Sequence, residues 1–148
     1  GDFGTVLNRF ILQSVLNYPL TVHGSGGQTR AFININDTVE CLSSAVNNPP
    51  LINEKVKIIN QMTETHRVID LAKLISSKTG VAIELIDNPR NEDETNELRV
   101  KNDHLTNLGI KKTLLKEKLI EEIKIIANKY INKINKEKIP CNSKWVIN

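Results

Sequence analysis

Near the start of the chain Val6, Leu7, Phe10, Ile11 and Val15 recur at threes and fours, which predicts an amphipathic helix over residues 5–17, stopped by Pro19. Leu20-Thr21-Val22 then reads as a short strand. His23-Gly24-Ser25-Gly26-Gly27 reads as a turn, because glycine accepts backbone angles that other residues resist. From Gln28 to Ile35 β-branched and aromatic residues alternate with others, the pattern of a second strand. Asp37, with Glu40 three residues on, predicts a capping box that opens a helix to about Val46. Val39, Leu42 and Val46 are expected to face inward along it, with Cys41 packed nearby. Pro49-Pro50 marks a loop.

Lys55 to Asn60 predicts a further strand. Val68, Leu71, Ala72 and Ile75 define a third helix that Gly80 should close as a C-cap, and Val81 to Ile86 reads as another strand. After Asn88-Pro89-Arg90 an acidic run from Glu92 to Glu97 predicts an exposed loop, and Asp103 to Leu108 a short helix stopped by Gly109. Leu115, Leu119, Ile123, Ile126, Tyr130 and Ile134 mark one face of the longest helix, with lysine on the other. Helices and short strands therefore mix in an α/β pattern. The strands are too few and too scattered for a self-contained doubly wound sheet, so the expected fold is the irregular end of a larger α/β protein.

Composition sharpens this picture. The chain has 148 residues, 39% of them apolar and 25% charged, a globular balance of a size for one domain. It has no apolar run long enough to span a membrane. Residue 1 is Gly, the only Met is Met62 and a helical pattern begins by residue 5, so the chain reads as cut from something longer. Cys41 and Cys141 lie far apart and form no C-x-x-C pair, which suits reduced thiols in an intracellular protein. The net charge of +3 is uneven: residues 111–148 carry ten lysines against four glutamates. Tyr130 and Trp145 are the only aromatics there, and without arginines to grip phosphates this basic stretch reads as a solvated helix face, not a nucleic-acid surface.

Gly24-x-Gly26-x-x-Thr29 nearly matches the dinucleotide fingerprint G-x-G-x-x-G, but the third Gly is Thr29 and the pattern that follows is a strand. Without a helix N-terminus there are no converging N–H groups to hold a pyrophosphate. Tyr18 and Tyr130 are followed four residues on by Val22 and Ile134, so neither forms a Tyr-x-x-x-Lys pair. His23, His66 and His104 show no metal-ligand spacing, and there is no Gly-x-Ser-x-Gly elbow. The expectation is that this chain supplies no catalytic, cofactor-binding or metal-ligating residue. Two arginines remain in unusual settings: Arg30 in an otherwise uncharged strand after the glycine turn, and Arg90 behind Asn88-Pro89 at a strand exit. Guanidinium groups fork onto phosphate oxygens, so the two could clamp a diphosphate; they could equally be an edge arginine and a turn arginine, each paired with a carboxylate.

The segment Gly1-Asp2-Phe3-Gly4-Thr5-Val6-Leu7-Asn8-Arg9-Phe10 resembles the start of the C-terminal region of the UDP-sulfoquinovose synthase family. So do Pro19-Leu20-Thr21-Val22-His23-Gly24, Gly26-Gly27-Gln28-Thr29-Arg30-Ala31-Phe32 and Ile35-Asn36-Asp37-Thr38-Val39-Glu40-Cys41. The resemblance continues through Asn60-Gln61, Thr63-Glu64 and Asn88-Pro89-Arg90 to Ser143-Lys144-Trp145 near the end. The family belongs to the extended short-chain dehydrogenases/reductases, of the NAD-dependent epimerase/dehydratase type. Such enzymes usually place an acidic residue after the strand arginine; this chain has Ala31, and Gln28-Thr29-Arg30 with Cys41 favours the sulfoquinovose synthase branch.

The resemblance implies that residues 1–148 are a C-terminal, UDP-sugar-binding domain without the N-terminal Rossmann sheet. It implies a parent enzyme that oxidises the glucose ring of UDP-glucose transiently, eliminates water, adds sulfite and returns hydride to give UDP-sulfoquinovose for sulfolipid. NAD would be held by the missing half, with no metal, in a homodimer of the bacterial cytoplasm or the plastid. No nucleic-acid or membrane partner is implied. Carried over position by position, the UDP contacts fall on Thr5 and Asn8, on Leu20, Thr21 and Val22, on Gln28 and Arg30, and on Asn88, Pro89 and Arg90. Arg67 stands where the family tends to have a capping Ser, so Thr65 is expected to start that helix, and His23 replaces a common aromatic residue. The alternatives are another nucleotide-sugar epimerase or dehydratase, or a freestanding binding module that docks through its basic last helix.

Overall fold

A computed structural model describes residues 5–88, 96, 98–101 and 103–139. Helix α1 spans Val6–Val15, with Thr5 as N-cap accepting from the Asn8 N–H at 3.4 Å. It closes before Pro19: Asn17 takes φ 53° and the Tyr18 N–H reaches back to the Gln13 carbonyl at 2.8 Å. Asparagine tolerates that left-handed turn better than most residues. Strand β1 (Leu20–His23) runs parallel to β4 (Ile83–Ile86), with Leu20 opposite Ile83 and His23 opposite Ile86. Helix α3 (Val68–Thr79) ends at Gly80 with φ 75°, as its sequence predicts.

The core lies where α1 and α3 meet this parallel pair. Phe10, Ile11, Leu20, Val22, Leu71, Ala72 and Ile75 are all fully buried there. Helix α4 (Asp103–Asn107) is followed by Gly109 at φ 72°. The last helix begins with a π-helical turn, Leu115–Leu119, and continues as α5, Ile120–Lys129. A π turn takes one residue more than a helical turn. That rotates the inward face: Leu115 and Ile120 enter the core, with Ile123 and Ala127 packed against it. Ile126 and Tyr130, which the uninterrupted period places on that inward face, are exposed instead.

Strand β2 (Thr29–Phe32) pairs antiparallel with β3 (Glu64–Arg67), Thr29 facing Arg67 and Phe32 facing Glu64. It is shorter than the predicted run to Ile35 because helix α2 (Ile35–Asn47) starts at Asn34, whose side chain accepts the Asn36 N–H at 2.8 Å. Asp37 is therefore not the cap. Its carboxylate is 3% exposed and accepts both the N–H and the hydroxyl of Thr113, each at 2.8 Å. Val39, Leu42 and Val46 do not face inward; they are exposed, while Asp37 and Cys41 are buried. Residues 55–60 form no ladder among the described residues, so the predicted strand is absent. A strand exists only where a neighbour completes its hydrogen bonds.

Candidate substrate site around the glycine turn

The turn between β1 and β2 is built on two left-handed glycines, Gly24 at φ 61° and Gly26 at φ 70°. A methyl group on Gly26 would lie 2.6 Å from Val22 Cγ1 and 3.0 Å from the Ile69 backbone nitrogen, so no larger residue fits. This closeness has a structural purpose. The carbonyls of Gly26 and Gln28 accept the first N–H groups of α3, from Ile69 at 2.9 Å and Val68 at 3.0 Å. Arg67 makes no side-chain cap bond, and Thr65 lies in the β2–β3 ladder opposite Ala31. The turn backbone thus does the capping expected of Thr65. It also settles the near-match to the dinucleotide fingerprint: two of its carbonyls are committed to a helix start, which is the wrong polarity for a pyrophosphate cradle. The turn does not fit NAD.

Two further segments converge on the turn. The Gly24 N–H donates to the Ile86 carbonyl at 2.8 Å, and a Cβ at Gly24 would meet Asn88 Cβ at 3.4 Å. The Thr29 N–H donates to the backbone and side-chain oxygens of Asn96, both at 3.3 Å. The exit of β4 is thereby brought against the loop that leads to Arg30. Arg30 itself is half-buried and donates through Nη1 to the Thr29 carbonyl at 3.1 Å. Opposite it in the ladder stands His66, whose Nε2 is 2.7 Å from Glu64 Oε2. The other Glu64 oxygen accepts the Leu115 N–H at 2.6 Å, which caps the last helix.

The remaining positions divide. Leu20 and Val22 are fully buried core residues, so their side chains are closed to a ligand. The Thr21 hydroxyl accepts from Gln13 Nε2 at 2.8 Å, its N–H donates to Gln13 Oε1 at 3.2 Å, and its carbonyl accepts from Arg9 Nη2 at 2.8 Å. Gln28 is buried behind the turn. Thr5 and Asn8 stand exposed on the first turn of α1, next in sequence to the Arg9 that reaches Thr21. Pro89 and Arg90 lie outside the described residues, as do most of the acidic run and the Ser143-Lys144-Trp145 end.

Sequence reasoning missed Arg9, Gln13 and Glu64. A signal for Gln13 was present, since it follows Phe10 by three on the apolar side of α1 and a polar side chain placed there must find a partner. Among the described residues no three His, Cys, Asp or Glu side chains gather as metal ligands, and no helix is long and apolar enough to cross a membrane.

No protein-family model matches the sequence. The chain is 38% identical to the chloroplastic UDP-sulfoquinovose synthase of Spinacia oleracea over 97% of its own length, which is 30% of that enzyme. It is 34% identical to the UDP-sulfoquinovose synthase of Sulfolobus acidocaldarius over 84% of its length, or 32% of that enzyme. It thus spans about a third of the length of these relatives. Among solved structures, a UDP-glucuronic acid 4-epimerase from Bacillus cereus, in complex with UDP-glucuronic acid and NAD, superposes with a TM-score of 0.68 at 19% identity. That match covers 85% of this chain and 40% of the epimerase. By sequence the chain is a homologue of the UDP-sulfoquinovose synthases over about a third of their length, and its fold is that of part of a nucleotide-sugar epimerase structure.

Proposed function

We propose that this chain is the UDP-sugar-holding portion of an enzyme that converts UDP-glucose and sulfite into UDP-sulfoquinovose and water. The observation that carries the reading is the similarity of 97% of this chain to 30% of the spinach synthase. The geometry supports it. Gly24 and Gly26 let the backbone bend tightly, Asn88 abuts that bend, and Arg30 is the second residue of the strand that leaves it. Arg90 follows Asn88 by two positions in the sequence and is assigned to the same site in this reading. Two guanidinium groups at the turn would neutralise a diphosphate and fix its orientation by forked hydrogen bonds. In this reading Arg9 and Gln13, through their bonds to Thr21, hold β1 in place beside the turn. In this reading the transient oxidation of the sugar belongs to NAD held by another portion of the parent.

The decisive experiment is titration of UDP-glucose into the full-length parent carrying Arg30→Ala. Loss of one charge-assisted phosphate contact should weaken binding about ten- to hundredfold. Affinity within about twofold of the parent removes Arg30 from the site. Assaying the same parent for sulfite-dependent product separates the synthase reading from a sulfite-independent epimerase or dehydratase, the second reading that the epimerase fold leaves open.

A further inference from the structure

The β2–β3 ladder sorts its side chains onto two faces. Side chains alternate along a strand, so Arg30 and Phe32 of β2 share a face with Glu64 and His66 of β3. All four are half-buried, whereas Ala31, Thr65 and Arg67 on the other face are exposed. His66 stands directly across from Arg30, and Glu64 directly across from Phe32, which makes Glu64 the diagonal neighbour of Arg30. Diagonal neighbours in a ladder are roughly 7–8 Å apart, within reach of long side chains. An arginine and a carboxylate so placed are natural partners. Both Glu64 oxygens are instead occupied elsewhere: Oε1 accepts the Leu115 N–H at 2.6 Å, and Oε2 lies 2.7 Å from His66 Nε2. An ionised carboxylate offers only acceptors, so the ring nitrogen facing it carries the hydrogen. The His66 and Glu64 side chains are only 18% and 16% exposed, a setting in which a charge acts more strongly than in open water. Phe32 packs on the same imidazole, with ring centroids 6.2 Å apart.

We propose that His66 is a positioning residue for nucleotide-sugar binding: it draws the Glu64 carboxylate away from Arg30 and so keeps that guanidinium available to a diphosphate. The inference rests on the reading of Arg30 as a phosphate contact. His66 touches no ligand in this arrangement and acts only through the other two side chains. Without its ring nitrogen, Glu64 Oε2 loses its donor, and the other cationic donor of the face is Arg30. An Arg30–Glu64 pair has to break before the guanidinium can fork onto phosphate, and an uncompensated carboxylate repels the diphosphate besides. The Leu115 N–H holds one carboxylate oxygen, so Glu64 stays at the site when His66 is changed.

The test is titration of UDP-glucose into the full-length parent carrying His66→Phe, which keeps a ring against Phe32 and removes both nitrogens. Affinity should fall about three- to tenfold, with the melting temperature held within a few degrees. His66→Gln, which retains a donor for Glu64, should stay within about twofold of the parent. Adding Glu64→Gln to His66→Phe should restore most of the lost affinity, because the competing charge is gone. In an Arg30→Ala background His66→Phe should change nothing further, since its effect passes through Arg30. Parental affinity in His66→Phe, while Arg30→Ala binds weakly, overturns this inference and leaves the phosphate role of Arg30 standing. A loss that persists with Glu64→Gln, or that adds to Arg30→Ala, also overturns it, because His66 then acts by packing alone. Parental affinity in Arg30→Ala removes the phosphate contact and this inference together.

Discussion

Helices α1 and α2 are both amphipathic, of ten and thirteen residues, and their fates are opposite. The apolar side of α1 is sealed against α3 and the β1–β4 pair, with Phe10 and Ile11 essentially inaccessible. The apolar side of α2 faces away from the other described residues, and its buried side carries a carboxylate and a thiol, Asp37 and Cys41. The difference teaches that a hydrophobic period announces a covered face without saying what covers it. For α1 the cover lies within these residues. For α2 none of the described residues supplies it.

The contrast breaks most sharply under truncation of matched apolar residues. Phe10→Ala should destabilise the chain by about 3–5 kcal/mol, whereas Val39→Ala should change stability by less than about 0.5 kcal/mol. Chemical denaturation of the two variants side by side checks this, and comparable losses would mean that α2 is packed. Next in size is Gly26→Ala. The added methyl meets Val22 and Ile69 while the backbone is held at positive φ, so a loss of roughly 2–4 kcal/mol is expected. The same change at Gly80, where a Cβ meets nothing within 4 Å, should cost only the backbone strain.

A smaller effect probes the buried side of α2. Asp37→Ala removes two long-range bonds to Thr113 and should cost roughly 1.5–3 kcal/mol, with Asp37→Asn recovering part of it. The smallest concerns Cys41. Burial, followed by the nearby Asp37 and Glu40 carboxylates, pushes its thiol above the ordinary range. The folded state therefore holds the thiol proton more tightly than the unfolded chain does. The resulting stabilisation is complete below the unfolded thiol pKa of about 8.5 and fades as pH rises through the higher folded value. Denaturation curves between pH 7.5 and about 10 should show this decline, and Cys41→Ala should flatten it.

Local chemistry and tertiary context divide the rest. Gly80, Gly24 and Gly26 were legible because a positive φ is a property of a single residue, and β1 and β4 were legible from short apolar runs. The glycine turn and Arg30 were found in the same way, from residue type and neighbours. Strand β3 was not legible, since Glu64-Thr65-His66-Arg67 has no apolar alternation and is a strand only because β2 lies beside it. Asp37 looked like a cap because sequence cannot reveal Thr113, 76 residues away, and Glu64 could not be linked to the last helix for the same reason.

The sequence by itself determined the helices, the tight turn and the family resemblance, all of which rest on short-range residue chemistry or on matching strings. Only the tertiary structure decided which helix face is covered, where long-range carboxylates go and that α3 is capped by the turn. Those outcomes depend on which segments meet in space, and burial, unlike backbone propensity, is a property of the pair that meets.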